Sequence, residues 1–279
     1  MGPTRGALRP PAASVERRLA SPFAPRDRER MQEGSAPLEA APRRVLVTGF
    51  HDWQSAAEPG TPLDPHRCVA NPSGRLLLGA PHPGGAPPTR FAGPLPHQLR
   101  ALAAARGLPW SFSFATLPVR WREAETLALA GLDVVVALGL GVYPPEPPTR
   151  LLLERGAWNG RSDAPDVSGR RPGRGELGAV LQPGEGPVLA PPRGSPFARR
   201  IDAFDGASFG DHATRVIDAR PDNAFLCNET HYHLLRAALS SGGPSLVAFI
   251  HLASPPTEEA YPILAAAVAE LVLGLAAPL

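Results

Sequence analysis

Asp133-Val134-Val135-Val136-Ala137-Leu138-Gly139 is the stretch from which the fold of this chain is read. It is a short run of apolar and β-branched residues with no polar alternation, ended by Gly. A run of that length with no polar face is a strand buried on both sides, which is the habit of parallel sheets covered by helices. Similar runs stand on either side of it. Val45-Leu46-Val47-Thr48-Gly49-Phe50 ends in a loop, and Ser111 to Leu117 is stopped by Pro118. Ala213-Thr214-Arg215-Val216-Ile217-Asp218 and Leu246 to Leu252 follow later.

Helical segments lie between these strands. Asn71-Pro72-Ser73 opens a short helix over Ser73 to Leu78, and Leu95 to Ala105 is a second. Arg122 to Ala130 is expected to be helical, with Gly131 as the residue that ends it. A Pro-rich loop follows Gly139, and then the apolar stretch Leu151 to Trp158. Residues 160–200 are rich in Gly, Pro and Arg and are expected to form a long loop with short strands. Cys227 to Ser240 is a helix closed by Ser241-Gly242-Gly243-Pro244. Thr257 to Leu275 is a terminal helix, with Glu258 and Glu259 in the first turn, where the helix dipole favours acids. Strands alternating with helices give an α/β fold: a three-layer sandwich whose central, mostly parallel sheet is covered by helices on both faces.

Residues 1–43 carry no helical or strand period and read as a disordered tail, leaving 44–279 as the folded domain. The tail is Arg-rich, as a transit peptide is, but it contains Glu16, Asp27, Glu29, Glu33 and Glu39, which transit peptides avoid. Met31 is an alternative start of translation. The 279-residue chain has a net charge of +2. Its basic residues are all arginine, spread along the chain rather than gathered with aromatics on one face, so a nucleic-acid partner is not expected. No apolar run reaches the ~18 residues of a membrane span, and the N-terminus lacks a secretory apolar core. The expectation is a cytoplasmic protein. Two cysteines, Cys68 and Cys227, do not make a disulfide framework.

Reactive side chains of open α/β sheets gather at the carboxyl ends of strands and at the helix starts that follow. Three residues fit that placement. Cys227 lies near a helix N-terminus, where aligned N–H groups lower a thiol pKa. His251 closes the strand 246–252, and Glu154 follows the loop after 133–139. Nucleophile, base and orienting carboxylate is the set that thiol catalysis requires. Each also has a plainer reading, as a buried apolar cysteine, a satisfied loop histidine and a solvated glutamate. Other groupings carry less. Of Glu229, His231 and His233, only Glu229 and His233 share a helix face, and His66 with Cys68 lacks the further ligands that zinc needs. Gly139-x-Gly141 lacks the third Gly of a dinucleotide loop. Neither metal nor cofactor is expected.

The local words are more specific than the single residues. Phe225-Leu226-Cys227-Asn228 with Tyr232, and 24 residues on from the cysteine Phe249-Ile250-His251-Leu252 with Pro255, resemble the Cys and His motifs of the pyroglutamyl peptidase I family. Leu153-Glu154-Arg155-Gly156-Ala157-Trp158-Asn159 is similar to the family's glutamate motif, with Pro165-Asp166, Gly169 and Pro172 after it. Val45 to Phe50, Asn71-Pro72-Ser73 and Leu117-Pro118-Val119 match the family's opening strand, its Asn-Pro-Ser and its Leu-Pro-Val, all in order over residues 44–275.

The resemblance implies a thiol peptidase that removes an N-terminal pyroglutamyl group from a peptide or small amide, without metal or cofactor, and often as a homo-oligomer. Cys227 would attack, His251 would carry the proton and Glu154 would orient His251. Phe50, Trp53 and Phe225 would line the substrate pocket. Leu140 stands in that pocket where the family has a lactam-recognising Gln, and loss of a polar partner in a buried site costs discrimination. Asp222-Asn223 replaces the family's Ala-Gly, and Asn there is expected to preserve a left-handed turn. His51-Asp52 replaces its Glu-Pro. Two other readings remain: a non-catalytic relative that binds or assembles through the cleft, and a hydrolase of a different amide.

Overall fold

The computed structural model describes residues 42–53, 70–80, 90–171 and 180–278. All but the last two residues of the expected tail lie outside these, as do His66, Cys68 and Pro172. Residues 40–279 form one compact unit.

In chain order the elements are β1 (Arg44–Phe50), α1 (Pro72–Leu78), α2 (Pro94–Ala105), β2 (Ser111–Leu117), β3 (Val134–Leu140), β4 (Arg150–Glu154), β5 (Ala157–Trp158) and β6 (Val188–Leu189), then α3 (Pro196–Asp202), β7 (Ser208–Phe209), β8 (His212–Ile217), α4 (Leu226–Ala238), β9 (Leu246–Leu252) and α5 (Tyr261–Ala276). Seven strands make one sheet in the order β2-β1-β3-β9-β4-β8-β7, and β5 pairs with β6 apart from it. β1, β2, β3 and β9 are parallel neighbours. β4 and β8 are parallel to each other, but β4 runs antiparallel to β9, and β7 antiparallel to β8. The sheet is thus mixed but mostly parallel, as expected.

Side-chain alternation assigns the layers. Val45, Val47, Val134, Val136, Leu138, Leu246, Ala248, Ile250 and Leu252 face one core, shared with α1, α2 and α5. Leu46, Val135, Ala137, Val247 and Phe249 face the other, shared with α4. Successive residues of a strand point to opposite faces, so each apolar run feeds both cores. β1 is anchored to α1 where Ser73 Oγ accepts the Phe50 N–H at 2.9 Å. The Asn71 side chain caps α1 by accepting the Ser73 N–H at 3.2 Å. A Cβ on Gly74 would stand 2.2 Å from the Phe50 carbonyl oxygen, so only glycine lets α1 lie this close to β1.

The structure departs from expectation in three places. Arg122 to Ala130 is not an α-helix; only Glu123–Thr126 form a short 3₁₀ turn. Arg122 takes a positive φ of 70° there, and its N–H bonds Glu229 Oε2 at 2.7 Å, so a tertiary contact overrides helix propensity. Within 160–200 an α-helix appears, α3, capped by Ser195, whose Oγ accepts the Ala198 N–H at 3.1 Å. The span 258–276, unlike any uninterrupted apolar run, meets the length and hydropathy of a membrane helix, with a mean hydropathy of 1.6. It is nonetheless a core helix: Leu264, Ala265, Val268, Leu271 and Val272 are buried in the first core. A helix that is apolar almost all round is what such a site requires.

Candidate functional site

Glu154 ends β4 and is 2% exposed. Its register partner on β9 is Phe249, while His251 lies opposite Leu152. Because β4 runs against β9, the glutamate does not share a carboxyl edge with the histidine as the sequence suggested. It reaches His251 across a diagonal, a span that a long side chain covers. His251 Nε2 lies 2.8 Å from Glu154 Oε1. Asn223 Nδ2 donates to the same oxygen. The other oxygen, Oε2, is 2.7 Å from Nδ1 of His231. Burial by itself would push this carboxyl up, but the His251 imidazole beside it and hydrogen bonds from His231 and His251 outweigh that and hold it at about 2.

With Nε2 bound to Glu154, the other ring nitrogen of His251 is the one left for chemistry. Nδ1 is buried and has no hydrogen-bond partner among the described residues. A Cβ added to Gly141 would lie 1.9 Å from it, and one added to Gly139 would lie 2.9 Å from Cys227 Sγ. The chain at the end of β3 thus runs beside both side chains, with Gly139 leaving room for Cys227 and Gly141 for His251. The Gly-x-Gly of the sequence is a clearance for side chains, not a phosphate loop.

Cys227 is the second residue of α4 and is half-buried. Its Sγ contacts the Leu140 carbonyl oxygen at 3.9 Å. The helix start is tied down by Asn228, which accepts the Trp158 N–H at 2.7 Å and donates to the carbonyls of Trp158 at 2.9 Å and Gly160 at 3.1 Å. Helix placement was expected to lower the thiol pKa. Instead burial, with the Glu154 charge nearby, pushes it up to about 12, and the backbone N–H at the helix start only partly offsets this. The resting group is a thiol.

Cys227 opens onto a cavity of about 70 Å³ lined by Phe50, Trp53, Asn71, Val119, Leu140, Tyr143, Phe225 and Leu226. All four pocket residues named from the sequence are present. Phe225 is held by an edge-to-face contact with Trp121, ring centres 5.3 Å apart. Asp52 accepts the Asn71 N–H at 2.8 Å and pairs with Arg75 at 3.2 Å, so the altered His51-Asp52 segment braces the pocket rim.

Sequence reasoning missed two residues. Asn223 has no positive φ; it ends a 3₁₀ turn and contributes its amide to Glu154. His231 lies four residues after Cys227, on the same helix face, a spacing that would have revealed it. The remaining pair, Glu229 and His233, holds no metal geometry: Glu229 is bound by Arg161 Nε at 2.7 Å. Among the described residues no group of His, Cys, Asp and Glu could hold a metal ion.

No family profile matches the chain, and no curated protein matches it. Solved structures do. The pyrrolidone carboxyl peptidase of Fervidobacterium islandicum AW-1 is 18% identical with a TM-score of 0.50, covering 83% of this chain and 97% of that one. A mutant pyrrolidone carboxyl peptidase of the hyperthermophile Pyrococcus furiosus is 16% identical with a TM-score of 0.51, covering 84% and 97%. Pyroglutamyl peptidase I of Bacillus amyloliquefaciens is 17% identical with a TM-score of 0.49, covering 83% and 97%. The chain has the α/β fold of the Fervidobacterium and Pyrococcus peptidases.

Proposed function

We propose that this chain is a divergent member of the pyroglutamyl peptidase I family and acts as a cysteine hydrolase of small N-acyl amides. The observation that carries the reading is the buried Glu154–His251 pair, which leaves Nδ1 of His251 unpartnered against Gly141, two residues along the chain from the Gly139 that clears Cys227. In this reading His251 Nδ1 takes the Cys227 proton as Sγ attacks the acyl carbon. First-turn N–H groups of α4, which have no carbonyl within the helix to bond, receive the developing oxyanion. His251 returns the proton to the leaving amine, and the C–N bond breaks to give a thioester. Water, deprotonated by His251, then releases the acid and restores the thiol. Glu154 keeps Nε2 fixed and stabilises the imidazolium throughout. Because the resting thiol is protonated, the nucleophile forms only at the moment of transfer.

The pocket gives the acyl group apolar walls. Pyroglutamate is the substrate the family implies, but the Leu140 side chain cannot bond a lactam amide as a Gln would, so a small apolar or cyclic acyl group suits these walls as well. The test is a panel of fluorogenic amides bearing pyroglutamyl, prolyl, cyclopentanecarbonyl and acetyl groups. Turnover of the pyroglutamyl or cyclopentanecarbonyl amide is expected, with loss of at least about 1,000-fold in Cys227→Ala. No turnover of any amide sinks the reading in favour of a binding role, and turnover that survives Cys227→Ala sinks Cys227 as the nucleophile.

A further inference from the structure

His231 is a buried titratable side chain that this reaction does not use, and it contacts the carboxylate that the reaction does use. It is fully buried on α4, and its ring lies 5.6 Å from that of Phe249 on β9, tilted by 39°. Its Nδ1 is 2.7 Å from Glu154 Oε2, and its Nε2 is buried without a partner among the described residues. An ionised carboxylate only accepts, so the ring proton belongs on Nδ1. Nε2 is then a bare lone pair facing the core beside Phe249.

We propose that His231 is a positioning residue of this site: its Nδ1–H pins Oε2 of Glu154 and so presents Oε1 to His251. Its effect on turnover rests on the hydrolase reading above; the bond itself does not. The geometry assigns each carboxylate oxygen its own donors, Asn223 and His251 on Oε1 and His231 on Oε2. The titratable groups that act on Glu154 are His251 from β9 and His231 from α4, and Glu154 in turn acts on Cys227. Without His231, Oε2 is a buried charged acceptor with nothing to bond. A proton then binds there at higher pH, and a protonated Glu154 no longer supports an imidazolium. A side chain that merely filled space would leave that titration where it is.

Two variants test the proposal. In the wild-type protein the Glu154 carboxyl carbon, followed by ¹³C NMR, stays at its ionised position down to about pH 3. In His231→Leu it titrates about one pH unit or more above wild type, and the acid limb of kcat/KM moves up with it while KM is unchanged. His231→Asn, whose amide N–H takes the place of Nδ1–H, restores both. A Glu154 titration in His231→Leu equal to wild type, or no restoration by Asn, overturns the proposal. If His231→Leu does not fold, ¹⁵N NMR of the wild-type ring decides: a proton on Nδ1 supports the proposal and a proton on Nε2 overturns it. A wild-type protein that turns over no amide removes the hydrolase reading, while the Glu154 titration still decides whether His231 governs the carboxylate.

Discussion

Gly141 lacks a side chain because the His251 ring occupies the space that one would fill. A methyl group there would sit 1.9 Å from Nδ1, well inside contact distance, so the ring must shift from the position that its bond to Glu154 sets. Displacing a catalytic group by about 1 Å costs roughly 100-fold in rate. Gly141→Ala is therefore expected to lose about two orders of magnitude in kcat/KM on whichever amide is turned over. Gly186→Ala, where an added Cβ meets nothing within 4 Å, is the control and should behave as wild type. Equal activity in the two would mean that His251 does not work through Nδ1. At this scale the sequence made Cys227, His251 and Glu154 visible through local words. It left the roles of His231 and Asn223 unread: the four-residue spacing puts His231 on the Cys227 face of α4, but the partner of both residues, Glu154, lies 77 and 69 residues away along the chain.

At the scale of the element, the start of α4 is the part that must not move. Its first turn carries Cys227, and its position against β5 is set by the three bonds of one buried side chain, Asn228. Asn228→Ala leaves a buried N–H and two carbonyls without that partner. A loss of about 2–4 kcal/mol in urea unfolding is expected, with a larger loss of activity than Ala at the half-exposed Cys-distal position Arg236. A cost under about 0.5 kcal/mol would show that α4 is held by its apolar face alone. Elements whose period is complete within a few residues, such as β3 and β9, were readable. The segment after Arg122 was not, because its path answers to Glu229 on α4, and α3 was hidden because Ser195-Pro196 stands within a Gly-, Pro- and Arg-rich run.

At the scale of the whole molecule, α5 separates two descriptions of the chain. By length and hydropathy it resembles a membrane span, yet its apolar residues lie against the sheet and α2. Val268 is fully buried, whereas Ile263 is 57% exposed. Val268→Asp buries a charge in a packed core and is expected to destabilise by more than about 4 kcal/mol or abolish folding. Ile263→Asp is expected to leave stability within about 0.5 kcal/mol. Thermal unfolding of the two proteins in detergent-free buffer is the measurement; equal effects would contradict the packing of α5.

The sequence by itself determined the sandwich, since a buried strand and a covering helix each carry their pattern locally. It also pointed to Cys227, His251 and Glu154, because motif words are contiguous. Only the tertiary structure decided the rest. The antiparallel placement of β4 against β9 sends Glu154 to His251 along a diagonal, a register no local pattern encodes. It also decided that Cys227 rests as a thiol, because burial and a neighbouring carboxylate outweigh the helix start. And it decided that Glu154 is held by two histidines, a bond geometry that exists only once three distant segments are packed together.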